Sequence, residues 1–131
     1  MKITRATDYA LRVMVFLAKA EKGKVFMRSE LSKYCEVPDS FLGKILQVLA
    51  KKGLLVSGKG KKGGFKLEKK PDEITLYDII SAVDGEVFIN ECLDNPKFCS
   101  KADSCSINNI LNNIKIKFVN DLKSYTLKDF L

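Results

Sequence analysis

Pro38 separates two short helical patterns, and this arrangement constrains the fold more than any other feature of the sequence. The first pattern covers residues 28–36 and the second runs from Ser40 to Lys52. Proline cannot continue the first helix, because its ring blocks the preceding turn and it lacks a backbone N–H group. The side chain of Asp39 or Ser40 can then accept the first free N–H groups of the second helix. The sequence therefore predicts two helices joined by a tight turn, with Leu31 and Tyr34 on the buried face of the first.

The second of these helices has the most regular pattern in the chain, and Gly53 is a natural residue to end it. One stripe is apolar and is expected to be buried: Leu42, Ile45, Leu46 and Leu49. The opposite face is polar and basic: Ser40, Gly43, Lys44, Gln47 and Lys51. Such a pair is typical of a helix-turn-helix, in which the second helix enters the major groove of DNA. Of these side chains, we expect Ser40, Lys44, Gln47 and Lys51 to contact DNA, together with Arg28 from the first helix.

A glycine- and lysine-rich segment follows, between two short strand patterns at Leu54–Val56 and Phe65–Leu67. Glycines let a backbone approach phosphates, and lysines supply point charges for them. Lys59, Lys61 and Lys62 are therefore predicted to bind DNA from a hairpin tip, called a wing. A phosphate-binding loop of a nucleotide enzyme is excluded, since that motif continues into a helix and this segment continues into a strand pattern.

The remaining sequence predicts three more helices. The first runs from Thr4 to Ala20, the second is capped by Thr75 and ended by Gly85, and the third covers residues 106–124. The last carries a long apolar stripe: Ile107, Ile110, Leu111, Ile114, Phe118 and Leu122. This stripe is expected to pack against a second copy of the chain, the alternative being that it packs only onto its own domain.

The fold class predicted is mostly α with a small β wing: a winged helix-turn-helix domain followed by a long dimerisation helix. The expected boundaries are 1–85 for the DNA-binding domain, 86–105 for a cysteine-rich loop, and 106–131 for the dimerisation helix and tail.

The charge is distributed unevenly along the 131 residues, whose net charge is +7. Residues 1–70 hold 17 Lys and Arg against 6 Asp and Glu, whereas residues 71–131 hold 6 against 10. A basic first half joined to an acidic second half fits a module that binds a polyanion, followed by a regulatory or assembly segment. Solubilising surface lysines are the plainer explanation of the same charges.

Three of the four cysteines, Cys92, Cys99 and Cys105, lie within fourteen residues. No signal peptide or membrane-spanning run is evident, so we expect a cytoplasmic protein with reduced thiols and no membrane partner. Clustered thiols favour a soft metal centre, and spacing alone leaves iron–sulfur clusters, zinc and copper open. The sequence contains no histidine to complete such a site. Cys35 stands alone and is expected to be a buried small hydrophobe.

Several motifs together resemble the IscR/NsrR family of iron–sulfur winged-helix regulators. They are Thr7–Arg12, Gly53–Leu55, the Gly63–Phe65 wing, the helix ending in Val83, the three-cysteine loop and the closing Tyr125–Asp129. The resemblance covers essentially the whole chain. It implies a homodimer with a winged helix-turn-helix, a long dimerisation helix and a cluster bound by the loop cysteines.

The resemblance also bears on the fourth ligand. IscR-like members hold a [2Fe-2S] cluster with a histidine three residues after the third cysteine, where this chain has Asn108. NsrR-like members, which sense nitric oxide, carry an aspartate early in the first helix that reaches the [4Fe-4S] cluster of the opposite subunit. The matching residue is Asp8, so a [4Fe-4S] cluster is favoured over a [2Fe-2S] cluster. A plain carboxylate in the first turn, favoured by the helix dipole, is the alternative for Asp8. Gly43 stands where IscR-like members have a base-reading glutamate, so the operator need not be shared.

The function expected from these features is a dimeric repressor, not an enzyme, that binds a palindromic promoter site in double-stranded DNA. Damage to its cluster by nitric oxide or redox stress would release the DNA. One alternative is a regulator of iron or iron–sulfur cluster supply. Others are a small electron-transfer or cluster-carrier protein and a redox repressor based on thiols or zinc.

Overall fold

The computed structural model describes residues 2–58, 63–95 and 97–131. Its helices are α1 (Arg5–Lys19), α2 (Arg28–Cys35), α3 (Asp39–Lys51), α4 (Leu76–Asp84), the four-residue α5 (Glu91–Asp94) and α6 (Ser106–Ser124). Two strands, β1 (Leu55–Ser57) and β2 (Phe65–Leu67), pair antiparallel. Short 3-10 turns cover Pro71–Glu73, Ala102–Ser104 and Leu127–Phe130. The predicted fold class, mostly helical with a small β wing, is confirmed.

The helix ends follow from local chemistry. Thr75 Oγ1 accepts the Asp78 N–H at 3.0 Å while the Asp78 carboxylate accepts the Thr75 N–H at 2.9 Å, a reciprocal cap that starts α4. Gly53 and Gly85 follow α3 and α4 with φ of 78° and 80°, a conformation that costs glycine little. The predictions for these three residues are confirmed.

The main core lies where α1, α3 and α4 pack together, joined by α2 and the strands. Its fully buried side chains include Met14, Leu31, Leu42, Leu46, Leu49, Ile74 and Ile79. Burying each of these large apolar side chains is worth about 1.5–3 kcal/mol. The helix-turn-helix is therefore fixed by the packing of its inner face against the core, and its outer face remains exposed to solvent.

The wing strands are tied to the helix-turn-helix by a backbone bridge. The Phe26 N–H donates to the Phe65 carbonyl at 3.0 Å, and the Phe65 N–H donates to the Phe26 carbonyl at 2.7 Å. Gly64 lies directly beside this bridge, where a Cβ atom would come within 2.6 Å of the Phe26 carbonyl oxygen. The close approach requires glycine at this position.

The C-terminal tail returns to the main core. Leu127 is buried among the core residues, and its N–H donates to the Ile74 carbonyl at 3.0 Å. The Leu76 N–H donates to the Tyr125 carbonyl at 2.8 Å, and Thr126 bridges Thr75. The end of the chain thus packs onto the first turn of α4.

Four local predictions are corrected. Tyr34 is 57% exposed rather than inward, because it lies on the rim of α2 and stacks on Phe16 with ring centroids 5.6 Å apart. Helix α3 begins at Asp39 and has no side-chain cap, because its capping position is Pro38, which has no side-chain acceptor; the Asp39 carboxylate pairs with Arg28. Strand β1 starts one residue later than expected, and the cysteine-rich loop contains the short helix α5.

Candidate functional site

The outer face of α3 is open to solvent. Ser40, Lys44, Gln47 and Lys51 are all exposed, while Leu42, Ile45, Leu46 and Leu49 on the opposite side are buried. The apolar stripe therefore fixes the helix and leaves its polar and basic face free. This is the arrangement that a recognition helix requires.

Arg28, the first residue of α2, lies against the beginning of α3. Its Nε atom is 3.1 Å from Oδ1 of Asp39, and both side chains are about half exposed. Its Nη1 atom lies 3.2 Å from the position that a Cβ atom on Gly43 would take. The guanidinium thus covers the one residue on the outer face of α3 that has no side chain.

The structure describes the base of the wing, formed by the two strands and by Gly58, Gly63 and Gly64. The Gly58 N–H donates to the Gly64 carbonyl at 2.8 Å, which extends the β1–β2 pairing by one step. The predicted DNA contacts Lys59, Lys61 and Lys62 lie outside the described residues.

The cysteine segment, residues 86–105, carries three thiols ahead of α6 in the chain. Cys92 lies in α5, Cys99 in the following loop, and Cys105 immediately before α6. All three are partly exposed and none forms a disulfide. The Asn108 side-chain amide donates to the Cys92 carbonyl at 3.3 Å, and Lys115 Nζ lies 2.8 Å from Oδ1 of Asp94. Two contacts from α6 therefore hold α5 against this helix.

These residues suit a soft metal by their chemistry, because three free thiols lie on one short segment. Within the described ranges, however, no three Cys, Asp or Glu side chains come close enough together to hold a metal ion. The thiol donors are present, but the described residues of one chain do not bring three of them close enough to bind a metal.

Asp8 lies in the first turn of α1, and its described neighbours belong to α1 and α2. Its carboxylate pairs with Arg12 at 2.9 Å, and both side chains are about half exposed. It borders a shallow groove lined also by Leu11, Val15, Phe16, Lys19, Tyr34 and Cys35. The carboxylate is accessible to a ligand from outside its own chain.

Asp84, which the sequence analysis did not single out, joins α4 to the beginning of α1. Its two carboxylate oxygens accept the hydroxyl protons of Thr4 at 2.7 Å and of Thr7 at 2.6 Å. Thr7 is fully buried and Thr4 caps α1. No local sequence pattern could have indicated these contacts, which span 80 and 77 residues. Asp84 is relevant to function because it holds Thr7, the residue before Asp8.

Cys35 is buried in the main core, as predicted. Burial raises the pKa of its thiol, and the nearby Arg12 charge opposes that rise. The residue therefore behaves as part of the core and stands apart from the three partly exposed cysteines.

Helix α6 uses only part of its apolar surface within the chain. Leu122 and Val119 pack with Ile80 on α4 and with Val87, which follows that helix. Nearer its beginning, Ile107, Ile110 and Ile114 are 64%, 59% and 50% exposed, and Phe118 continues the same side of the helix. One end of the stripe therefore packs within the chain and the other lies open, so the expected contact with a second copy stays a prediction.

A rigid core carrying an exposed basic recognition helix and a two-stranded wing defines a winged helix-turn-helix protein of the class that binds DNA and regulates transcription. The Rrf2 family, described as iron-dependent transcriptional regulators, matches residues 3–131, and the chain belongs to this family. The family resemblance inferred from the motifs is confirmed. Members of this family are regulators and not enzymes.

Curated relatives match along the whole chain. Protein aau3 of Rhizobium meliloti is 32% identical over 132 residues, covering 100% of this chain and 85% of the relative. The HTH-type transcriptional regulator NsrR of Bacillus subtilis is 28% identical, covering 100% and 90%.

Solved structures agree with the fold. CymR, the global cysteine regulator of B. subtilis, superposes with a TM-score of 0.71 at 27% identity, covering 98% of this chain and 95% of its own. IscR of T. potens superposes with a TM-score of 0.76 at 22% identity, covering 98% and 85%, and so supports the fold alone. Among the described residues, no helix combines the length and apolar character needed to cross a membrane.

Proposed function

We propose that this protein is a homodimeric repressor whose binding to a palindromic promoter site is controlled by an iron–sulfur cluster. The observation that carries the proposal is the coexistence of an exposed, basic α3 face with three free thiols on one short segment, in a chain of a family described as iron-dependent. Ser40, Lys44, Gln47 and Lys51 bind in the major groove, and the wing lysines Lys59, Lys61 and Lys62 bind phosphates.

Cys92, Cys99 and Cys105 are proposed as three ligands of a [4Fe-4S] cluster, with a [2Fe-2S] cluster as the alternative. The fourth ligand is Asp8 of a second copy. Two facts support Asp8: it is half exposed, and the described residues of one chain do not complete a set of ligands. Binding of the cluster requires the cysteine segment to bring its three thiols together. The contacts of α5 with α6, a hydrogen bond and an ion pair, are polar and can break to allow this movement.

The exposed isoleucines of α6 supply the proposed dimer contact. A side of one helix with Ile107, Ile110 and Ile114 half or more exposed is typical of a surface that packs against another copy. Dimerisation would also present two recognition helices to the two halves of a palindrome.

When bound, the cluster would supply iron centres that react with nitric oxide or oxidants. The switch itself is a difference in DNA affinity between two states of the protein. Asp84 is suited to link the two functions, because it holds the first turn of α1, which carries Asp8, to the helix α4 that packs on both α3 and α6.

The test is to purify the protein without oxygen and to measure its visible and Mössbauer spectra and its affinity for promoter DNA before and after nitric oxide. We expect a coloured protein with a [4Fe-4S] spectrum whose DNA affinity falls after exposure. Each of the variants Cys92→Ala, Cys99→Ala and Cys105→Ala should lose the spectrum, while Cys35→Ala, which also removes one thiol, should keep it. A colourless, iron-free protein after anaerobic reconstitution would refute control by a cluster.

Asp8 has a matched control in Arg12. Asp8→Ala removes both the carboxylate and the ion pair, whereas Arg12→Ala removes the same ion pair and leaves the carboxylate. We expect the cluster spectrum and the nitric oxide response to change in the first variant only. Equal behaviour of the two variants would exclude Asp8 as a ligand.

The dimer contact is tested by Ile110→Glu combined with Ile114→Glu, with Asn112→Glu as the control on the opposite side of α6. Light scattering should give a monomer for the double variant and a dimer for the control. A dimer in both proteins would place the interface elsewhere.

The family's description as iron-dependent favours a second candidate, in which the sensed quantity is iron or cluster supply. Under that proposal DNA affinity follows the cluster content of the protein and responds to iron chelation as strongly as to nitric oxide. Measuring the spectra and the affinity for promoter DNA before and after addition of an iron chelator, as well as nitric oxide, separates the two candidates.

A further inference from the structure

Arg28 occupies an unusual position on the proposed DNA-binding surface. It belongs to α2, yet its guanidinium lies against α3 beside Gly43, which has no side chain. A Cβ atom at position 43 would come within 3.2 Å of Nη1, so a side chain there would require the guanidinium to shift by a few tenths of an ångström.

The orientation of this side chain is set by Asp39. The Asp39 carboxylate faces Nε of Arg28 at 3.1 Å, which leaves the two terminal nitrogens at the far end of the guanidinium. Asp39 is itself favoured in the first turn of α3, where a carboxylate interacts with the positive end of the helix dipole. Arg28 is thus presented as an oriented fork with two donors, and it is about half exposed.

The charge around this fork distinguishes a base from a phosphate as its target. The exposed Asp39 carboxylate beside it cancels much of its charge and would repel a phosphate. A guanine instead offers two neutral acceptors, O6 and N7, whose spacing matches two arginine donors in the major groove. In helix-turn-helix proteins the beginning of the second helix contacts base edges, and the guanidinium lies there.

We infer that Arg28, held by Asp39 and accommodated by Gly43, reads one guanine in each half of the operator. This inference rests on the proposed binding to DNA and adds, to the Arg28 contact expected from the sequence, the base that Arg28 reads and the two residues that position it. Gly43 then acts by leaving room for Arg28, and Asp39 acts as a positioning residue.

The test is selection of bound sequences from a pool of randomised DNA duplexes, using full-length protein purified without oxygen and treated identically for every variant. The wild type should select half-sites containing one invariant guanine. Arg28→Lys keeps the charge but loses the fork, so it should lose the preference at that position by about tenfold or more and keep the other positions. Lys117→Ala, which removes a charge from exposed α6, should select the wild-type motif.

Two further variants separate base reading from loss of folding. Gly43→Ala should melt at or above the wild-type temperature, since alanine favours a helix more than glycine does, yet weaken the same guanine preference. Asp39→Asn should relax that preference with less effect on the rest of the motif. If Arg28→Lys selects the wild-type motif, or loses affinity uniformly for all sequences, Arg28 contacts phosphate or nothing and the inference is wrong. If the wild type itself selects no sequence, the proposed promoter binding fails, and this outcome is distinct because it affects every variant.

Discussion

Two regions of the molecule differ in how fully they bury their apolar side chains: the helix-turn-helix core, and the cysteine segment together with the beginning of α6. The core buries Met14, Leu42, Leu46 and Leu49 fully, and the described residues contain no buried side-chain polar atom without a partner. The other region leaves Phe98 and three isoleucines of α6 half or more exposed, together with three partly exposed thiols. The first region buries its apolar side chains within one chain, whereas the second leaves apolar surface and thiols accessible to a ligand or to another copy.

The largest effect is expected from truncating the core. Leu46→Ala removes a fully buried side chain and should lower the free energy of unfolding by about 2–5 kcal/mol, because it leaves a cavity. Phe98→Ala in the cysteine segment, where the ring is 62% exposed, should change it by less than about 0.5 kcal/mol. Denaturant titrations of the two variants measure the contrast, and equal losses would show that the cysteine segment is part of the folded core.

The next effect concerns the bridge between the wing and the helix-turn-helix. Gly64→Ala places a methyl group within 2.6 Å of the Phe26 carbonyl and should cost about 1–3 kcal/mol through overpacking. Gly58→Ala is the matched control, because its Cβ atom would meet only ordinary contacts of 3.5 Å or more. Thermal melting and hydrogen exchange at the Phe26 amide measure the difference. If the bridge between Phe26 and Phe65 stays intact in Gly64→Ala, glycine is not required at this position.

A smaller effect separates the cysteines of the two regions. Burial raises the pKa of the Cys35 thiol, so near neutral pH it forms less of the reactive thiolate and is also shielded from reagents. In metal-free protein at pH 7.5, which lies below the usual thiol pKa, iodoacetamide should modify Cys92, Cys99 and Cys105 before Cys35. Mass spectrometry of timed samples gives the order. Because the folded pKa is raised, the protonated thiol favours the folded state, and this stabilisation should be lost as pH rises above the ordinary value of 9.0.

The smallest effect is expected where α6 holds α5. Lys115→Ala removes an ion pair with Asp94 that is partly screened by solvent, so global stability should fall by less than about 1 kcal/mol. Hydrogen exchange in residues 91–94 should nevertheless become faster, while exchange in α3 stays unchanged. Faster exchange in α3 as well would show that the two regions are coupled more tightly than their contacts indicate.

The same contrast separates what sequence patterns could predict from what they could not. The cap at Thr75 and the glycines after α3 and α4 were predicted correctly, because each depends on a residue and its close neighbours in sequence. The bridge from Phe26 to Phe65, the burial of Leu127 and the Asp84 contacts with Thr4 and Thr7 join distant parts of the chain, so no local pattern contains them. Tyr34 was placed wrongly because a helical period gives a direction and does not show where the core ends.

The candidate site follows the same rule. The polar side of α3 and the clustering of the three cysteines could be read from the sequence, since each is a local pattern. The pairing of Arg28 with Asp39 over Gly43 could not, because it depends on how α2 crosses α3. The polar positions of a recognition helix, and Arg28 as a candidate DNA contact, are thus predictable, whereas the contacts that orient a side chain from another element are not.

The return of the tail to the core has a consequence for synthesis of the protein. Leu127 is a core residue, and the first turn of α4 pairs with the residues just before it. As the ribosome extends the chain, the helix-turn-helix therefore lacks part of its core until the cysteine segment and α6 have emerged. By the time a nascent chain has a complete DNA-binding core, all the residues proposed to hold its cluster have already been made.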